Sequence, residues 1–326
     1  MGKKSIILLT VILSVLLIST APTGCRSNYE ASTWLKEGHK LSDEYRWEEA
    51  VEAYTGSIEA DPDNVEAYTS RSLAYRHLGK YNNALKDADR AVELEPENAA
   101  AYECRSYTYK RLERYEDAID DATRAIELDP EMATAYDCRA SAYNTIHEYE
   151  LASADASKAI ELDPKMVLAY ESRACAYNGL RRYDEAIVDL NKAIELDNEY
   201  ALAYLQRAMA YQFTNEPDKS LADYNMTIEL APSAGVTALA YANRAALYLS
   251  YGKAEEALAD ASKALELDPY SIDPLPYMVS GYANLLLGQD EEAEANFDKA
   301  ISLGIPAEYI EETRKEYESY RAGESN

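Results

Sequence analysis

The chain has 326 residues and a formal net charge of −27 at neutral pH, from 32 Lys and Arg against 59 Asp and Glu. So acidic a surface repels nucleic-acid phosphates and anionic lipid head groups, which disfavours both as partners. The same excess of acid favours encounter with basic or neutral partners.

The first residues have the pattern of an export signal. Lys3 and Lys4 precede an uncharged apolar run over residues 6–18, and small residues then lead to Cys25. A basic start, a short apolar stretch and a small-residue end are typical of a secretory signal. The run is shorter than the about 20 residues that a membrane-spanning helix needs. We therefore predict a signal peptide over residues 1–25 and a short tether over residues 26–30.

The pair Gly24-Cys25 resembles the end of a bacterial lipoprotein signal, in which the Cys is lipidated and becomes the new N-terminus. The sequence departs from that pattern at Pro22, where the family prefers Leu. The resemblance implies lipidation of Cys25 and a membrane-anchored lipoprotein on the extracytoplasmic side. An uncleaved N-terminal anchor and simple secretion stay open as alternatives. All three place the rest of the chain outside the cytoplasm.

A phrase recurs every 34 residues through the middle of the chain. Tyr68-Thr-Ser-Arg71-Ser-Leu-Ala-Tyr75 returns, with changes, in segments that begin at Tyr102, Tyr136, Tyr170 and Tyr204. A second stretch with helical periodicity follows each phrase and closes on a sequence such as Glu-Leu-Asp-Pro. A unit of two helices and a turn cannot bury its apolar face alone, so successive units must stack on one another.

The unit resembles the tetratricopeptide repeat, and the resemblance covers residues 31–306. When each closing Pro is counted as position 32, Ala fills position 20 in seven repeats and position 27 in six. The resemblance implies an all-α fold, a right-handed α-α superhelix (TPR solenoid) of about eight helix-turn-helix repeats. Residues 307–326 are predicted to form a capping helix and tail. Position 4 is aromatic in all eight repeats, as Trp34, Tyr68, Tyr102, Tyr136, Tyr170, Tyr204, Tyr241 and Tyr277.

Six repeats carry Arg at position 7 and Asp at position 23. An antiparallel helical hairpin brings these positions to similar heights, which predicts a guanidinium–carboxylate pair that joins the two helices. A cation three residues after each Asp is a competing partner for it. Because the pair recurs in repeat after repeat, we interpret it as structural. The pairs are Arg71 with Asp87, Arg105 with Asp121, Arg139 with Asp155, Arg173 with Asp189, Arg207 with Asp223, and Arg244 with Asp260.

In this family the first helix of each repeat lines a concave groove, through positions near 2, 5, 6, 9, 12 and 13. Position 5 gives an acidic line of Glu103, Asp137 and Glu171, which we expect to face solvent. Such a line, flanked by basic and amide groups, suits an extended peptide or protein segment that is net basic or neutral. The flanking groups at position 12 are Arg76, Lys110, Asn144 and Asn178.

No residue pattern indicates catalysis or a metal. The three histidines, His39, His77 and His147, are dispersed over different repeats, and the chain has no Gly-rich phosphate loop or nucleophile elbow. Beyond Cys25, three cysteines remain, an odd number that cannot all pair, and none has a His close by in the sequence. We therefore expect no enzyme activity, no cofactor and no metal site.

These observations predict a non-enzymatic scaffold or adaptor for protein–protein interaction, tethered outside the cytoplasm, with its partner in the concave groove. Its contact with a membrane is expected only through the N-terminal anchor, and no nucleic acid is expected as a partner. An assembly lipoprotein for pili or outer-membrane proteins is the alternative, and the sequence does not separate the two.

Overall fold

The computed structural model describes residues 23–322, which form 17 α-helices and no strand. The predicted all-α architecture is confirmed for this part of the chain. The apolar run over residues 6–18 lies outside the described residues. The helices are α1 Thr23–Asp43, α2 Trp47–Ala60, α3 Val65–His77, α4 Tyr81–Leu94, α5 Ala99–Arg111, α6 Tyr115–Leu128, α7 Ala133–Thr145, α8 Tyr149–Leu162, α9 Val167–Gly179, α10 Tyr183–Leu196, α11 Ala201–Phe213, α12 Pro217–Leu230, α13 Ala234–Ser250, α14 Ala254–Leu267, α15 Leu275–Leu287, α16 Asp290–Ser302 and α17 Ala307–Ala322.

The helices alternate between first and second helices of a repeat. Within a hairpin the two helices pack on each other, as α1 does on α2 and α5 does on α6, and a second helix also packs on the next first helix, as α2 does on α3. The chain divides into two compact units, with the division after Ser172 inside α9. In the first unit the first helices α1, α3, α5 and α7 also contact one another in order, and in the second unit α11, α13, α15 and α17 do so.

The turn inside every repeat places position 15 in the left-handed region of backbone conformation. Only three of the eight residues there are glycine; the others bear side chains, for example Glu113 with φ 60° and His147 with φ 65°. Non-glycine residues in this region carry backbone strain, since the β-carbon crowds the following carbonyl. The full set is Tyr45, Gly79, Glu113, His147, Arg181, Asn215, Gly252 and Gly288.

Small residues let the two helices of each hairpin approach closely. Ala84 at position 20 is fully buried, and its carbonyl accepts a hydrogen bond of 2.8 Å from the Ser72 hydroxyl on the facing helix. The first and last repeats instead pair a glycine at position 8 with an aromatic ring at position 24. A β-carbon on Gly281 would collide with the Phe297 ring. The core therefore consists mainly of alanine, with aromatic rings filling the space that each glycine leaves.

Helices also form at both ends of the described chain and at an insertion between two repeats. Residues 26–30, assigned to a short tether, are helical and belong to α1. Residues 235–237, which are in excess of the 34-residue spacing, lengthen α13 to 17 residues. The last helix, α17, buries Ile310 and stacks Tyr317 on Tyr282, with ring centroids 4.8 Å apart. Within residues 23–322, no helix has the length and apolar character required to cross a membrane.

Candidate partner-binding groove

The candidate groove is the surface of α3, α5 and α7, three first helices of the first unit that lie side by side. Two contacts recur between neighbouring repeats along it. Position 6 of one repeat contacts position 5 of the preceding repeat, and position 9 contacts position 12 of the preceding repeat. The contact between positions 6 and 5 sets how deeply the predicted acidic residues are buried. The contact between positions 9 and 12 sets which cationic side chains are accessible in the groove.

Asp137 is buried, with 7% of its surface exposed, so the expectation that it faces solvent is wrong. Its Oδ1 accepts a hydrogen bond of 2.7 Å from the hydroxyl of Ser172, which is position 6 of the next repeat. Burial raises the pKa of the Asp137 carboxyl, because the charged form loses hydration, while Ser172 and Lys110 oppose that rise. Asp137 is therefore an internal contact between repeats rather than a partner-facing charge.

Glu103 is half-buried under the same kind of contact. The thiol of Cys138, again at position 6 of the next repeat, lies 3.7 Å from its Oε1 and donates to it. Burial raises the pKa of the Glu103 carboxyl, and the nearby Arg76 guanidinium partly offsets this. Burial also raises the pKa of the Cys138 thiol well above its usual range, which keeps it a neutral donor. The third predicted acid, Glu171, is half-buried as well.

The cysteines follow this packing. Cys104, Cys138 and Cys175 form no disulfide within the described residues. Cys104 is buried and donates weakly to the Thr69 carbonyl at 3.8 Å, the counterpart of the contact between Cys138 and Glu103 one repeat later. Buried thiols with a raised pKa are poor nucleophiles and poor metal ligands.

The cations at position 12 surround one aromatic ring. The Arg76 guanidinium carbon lies 4.2 Å from the centroid of the Tyr107 ring, and the Lys110 ammonium lies 4.6 Å from it. Lys110 also donates to the Ser141 hydroxyl at 3.0 Å. Arg76 differs, because its Nε and Nη1 atoms are buried and have no hydrogen-bond partner among the described residues. Arg76 thus has donors that the described part of the chain leaves unused.

The amides at position 12 are less accessible. Asn144 is buried and donates from Nδ2 to the Ser172 carbonyl at 2.7 Å, while its Oδ1 has no partner among the described residues. Asn178, in the second unit, is half-buried and has an Oδ1 atom in the same condition. The two amides therefore resemble each other in having one unused acceptor.

A cleft of about 680 Å³ opens beside Arg76. Arg111 forms part of its wall and donates from Nη2 to the Tyr81 hydroxyl at 2.6 Å. Tyr107 and Arg111 also line the cleft; they occupy groove positions 9 and 13, whereas the predicted groove residues come from positions 5 and 12 alone. The residues that line the cleft are Leu73, Arg76, His77, Leu78, Gly79, Tyr81, Glu103, Tyr107 and Arg111.

The histidines are engaged in packing. His77 stacks on Trp47 with ring centroids 3.8 Å apart, and its pKa is lowered by burial and by Arg76. His39 lies 3.2 Å from the Ser70 hydroxyl, and His147 lies 2.7 Å from the Tyr149 hydroxyl. The part of the chain that the structure describes contains no group of three or more His, Cys, Asp or Glu residues arranged to hold a metal ion.

The arginines at position 7 lie against the aspartates at position 23 in all six repeats where the sequence pairs them. Each Arg donates from Nε and Nη2 to the two oxygens of its Asp, at 2.6–2.9 Å. Nη1 of several of them reaches a side chain of the preceding repeat, as Arg105 does to Asp89 at 3.1 Å. These pairs join helices and lie apart from the cleft lining.

Comparison with known proteins places these repeats in a family. Models described as "Tetratricopeptide repeat" match residues 35–101, 99–132, 167–200 and 238–271. A 64-residue segment, 19% of this chain, is 41% identical to tetratricopeptide repeat protein 36 of Caenorhabditis elegans and spans 36% of that protein. The chain thus matches about a third of the length of this curated relative.

Solved structures are similar in fold. A chain of the APC/C hetero-tetramer Cut9–Hcn1 aligns with a TM-score of 0.73 at 15% identity, over 90% of this chain and 58% of the other. A tetratricopeptide repeat protein from Parabacteroides merdae aligns with a TM-score of 0.58 at 22% identity, over 77% of this chain and 98% of the other. At these identities the likeness is one of fold.

Proposed function

This chain is a tetratricopeptide-repeat protein, and from that premise we propose that it is a scaffold or adaptor that holds a protein or peptide partner in the groove of α3, α5 and α7. Proteins of this family bind protein or peptide partners and are generally scaffolds rather than enzymes. The observation that carries the proposal is the open cleft in the groove, where Arg76 has buried donors without partners among the described residues.

The partner as a whole is neutral or basic. The support for this is the net charge of −27, which slows the approach of an acidic protein at long range. The acids at position 5 do not add to this preference, because Asp137 is buried and Glu103 is engaged by Cys138. The long-range preference therefore comes from the whole surface rather than from the groove.

The scaffold acts outside the cytoplasm, tethered through a lipid on Cys25. The support is the sequence alone, namely the basic start, the apolar run over residues 6–18 and the pair Gly24-Cys25. An uncleaved N-terminal anchor would give the same location without the lipid.

Site-specific photocrosslinking in intact cells tests the proposed binding surface. A photoreactive benzoylphenylalanine replaces Tyr107 in the groove, and a matched probe replaces Lys86, an exposed residue of the second helix α4. A discrete adduct from position 107 that position 86 does not give is the expected result. Equal adducts from both positions, or none from position 107, would place the interaction elsewhere. Identification of the captured protein separates a general adaptor from an assembly lipoprotein for pili or outer-membrane proteins.

A further inference from the structure

We propose that the cleft beside Arg76 receives the carboxylate side chain of an acidic residue in an extended partner segment, with Arg76 as the principal donor. The inference rests on the proposed function and names the chemistry that its groove recognises. The segment carries an acidic residue locally, whatever the net charge of the whole partner.

Arg76 has N–H donors that no described residue uses. Its guanidinium carbon lies over the Tyr107 ring, 4.2 Å from the centroid, and this cation–π contact consumes no N–H group. No ion pair of Arg76 occurs among the described residues, and its Nε and Nη1 have no hydrogen-bond acceptor there. The arginines at position 7, in contrast, each bind both oxygens of an aspartate. Nε and Nη1 lie on opposite edges of the guanidinium and offer two separate N–H donors, either of which can form a charge-assisted hydrogen bond to a carboxylate oxygen.

The side chains that line the cleft carry more positive than negative charge. Arg76 and Arg111 supply two positive charges to the cleft lining, and Glu103 is the only acidic residue in that lining. Glu103 accepts from the Cys138 thiol and forms no ion pair with either arginine in the described structure. The cleft is therefore a basic site on a chain of net charge −27, and charge complementarity favours an anionic side chain there.

The shape of the cleft favours a peptide side chain over a free ion. A volume of about 680 Å³ exceeds what a carboxylate alone fills. Leu73 and Leu78 add apolar surface to the lining, and Leu73 is 39% exposed. The residues on either side of the bound acid are then expected to be apolar, because they would cover that surface.

Calorimetric titration of the full-length protein in nonionic detergent tests this preference. The probe is an acetylated and amidated dodecapeptide of four Gly-Glu-Leu units, and its counterparts carry Gln or Lys in place of Glu. We expect the Glu peptide to bind about tenfold more tightly than the Gln peptide, since a charge-assisted hydrogen bond replaces a neutral one. Tighter binding of the Lys peptide, or equal binding of Glu and Gln peptides, would overturn the proposal.

Two substitutions test whether the Glu peptide binds in the cleft beside Arg76. Arg76→Gln is expected to abolish the preference for Glu over Gln. Arg124→Gln, which removes an equal charge from an exposed arginine paired with Glu127 on α6, is expected to keep it. An equal effect of the two substitutions would show that only the overall charge of the chain matters, and would overturn the assignment to the cleft. Unfolding midpoints of both variants, followed by circular dichroism, identify any loss that is due to misfolding.

A third peptide identifies the source of the carboxylate. The Gln dodecapeptide with a free C-terminal carboxylate is expected to bind as weakly as its amidated form. If it binds as tightly as the Glu peptide, the cleft recognises a chain terminus and the side-chain proposal is wrong. A photocrosslinked partner at Tyr107 together with failure of the Glu peptide would overturn this inference and leave the proposed function intact.

Discussion

Asp155 receives two hydrogen bonds from Arg139, from Nε to Oδ2 at 2.7 Å and from Nη2 to Oδ1 at 2.9 Å. Nη1 of the same arginine donates to the Thr123 hydroxyl of the preceding repeat at 3.0 Å. The competing cation Lys158 instead pairs with Glu161 at 2.7 Å. One guanidinium thus connects both helices of its own repeat and the repeat before it, which is a structural role.

Removal of this arginine tests that role. Arg139→Ala leaves Asp155, which is 9% exposed, without its main donor, and we expect a loss of about 3 kcal/mol in the free energy of unfolding. The double variant with Asp155→Ala is expected to lose less than the sum of the single losses. Lys158→Ala is the control, since its solvent-exposed pair with Glu161 is expected to leave the free energy of unfolding nearly unchanged. Additive losses in a urea-unfolding cycle would contradict coupling between Arg139 and Asp155.

Two opposite substitutions test the backbone strain at the left-handed turn position, one that introduces glycine and one that removes it. Glu113→Gly is expected to raise the free energy of unfolding by about 1 kcal/mol, because φ 60° strains a residue with a β-carbon. Gly79→Ala, at the same position of the preceding repeat with φ 69°, is expected to lower it by a similar amount. Thermal unfolding of both proteins measures the two shifts. A loss of stability in Glu113→Gly would show that the glutamate side chain has a stabilising contact that outweighs the strain.

Burial of Asp137 predicts a dependence of stability on pH. Its pKa is raised in the folded protein, so between the unfolded and folded pKa values the folded state holds one more proton. Stability contributed by this group is therefore present at low pH and declines as pH rises through that interval, by up to about 1.4 kcal/mol per pH unit. Asp137→Asn is expected to flatten this part of the profile measured by urea unfolding between pH 4 and pH 8. An unchanged profile would mean that Asp137 does not titrate abnormally.

Close packing at the last hairpin predicts a further difference. In Gly281→Ala the new methyl group meets the Phe297 ring, and we expect a loss of about 1–3 kcal/mol in the free energy of unfolding. Gly235→Ala, in the first turn of α13, meets no atom within 4 Å and is expected to be neutral or stabilising by up to about 1 kcal/mol. Equal effects in denaturant titrations would show that the contact with Phe297 relaxes freely.

The lipid anchor is tested at its attachment residue. Cys25→Ser removes the only thiol that the signal resemblance assigns to lipidation, so the variant is expected to leave the detergent phase that the wild type occupies. Partitioning of both proteins in a detergent phase separation is the measurement. Equal partitioning into detergent would favour an uncleaved N-terminal anchor, and aqueous partitioning of both would favour simple secretion.

The repeated helical hairpins and the pairing of each position-7 Arg with its position-23 Asp are predictable from the sequence. A 34-residue period constrains both, because an antiparallel hairpin of fixed length aligns position 7 with position 23 whatever the neighbouring repeats do. The sequence also distinguished alanine positions from aromatic positions, since close helix approach tolerates only small side chains.

Which groove residues face outward depends on the packing between repeats and is not predictable from the sequence. Asp137 and Glu103 lie at the same position of successive first helices and are predicted from the sequence to be exposed acids, yet Ser172 and Cys138 of the following repeats cover them. Tyr107 and Arg111 instead meet Arg76 and Tyr81 of the preceding repeat and form the cleft. These contacts depend on how one repeat packs against the next. That packing brings together residues about 30–35 positions apart, and the periodicity of a single helix carries no information about it.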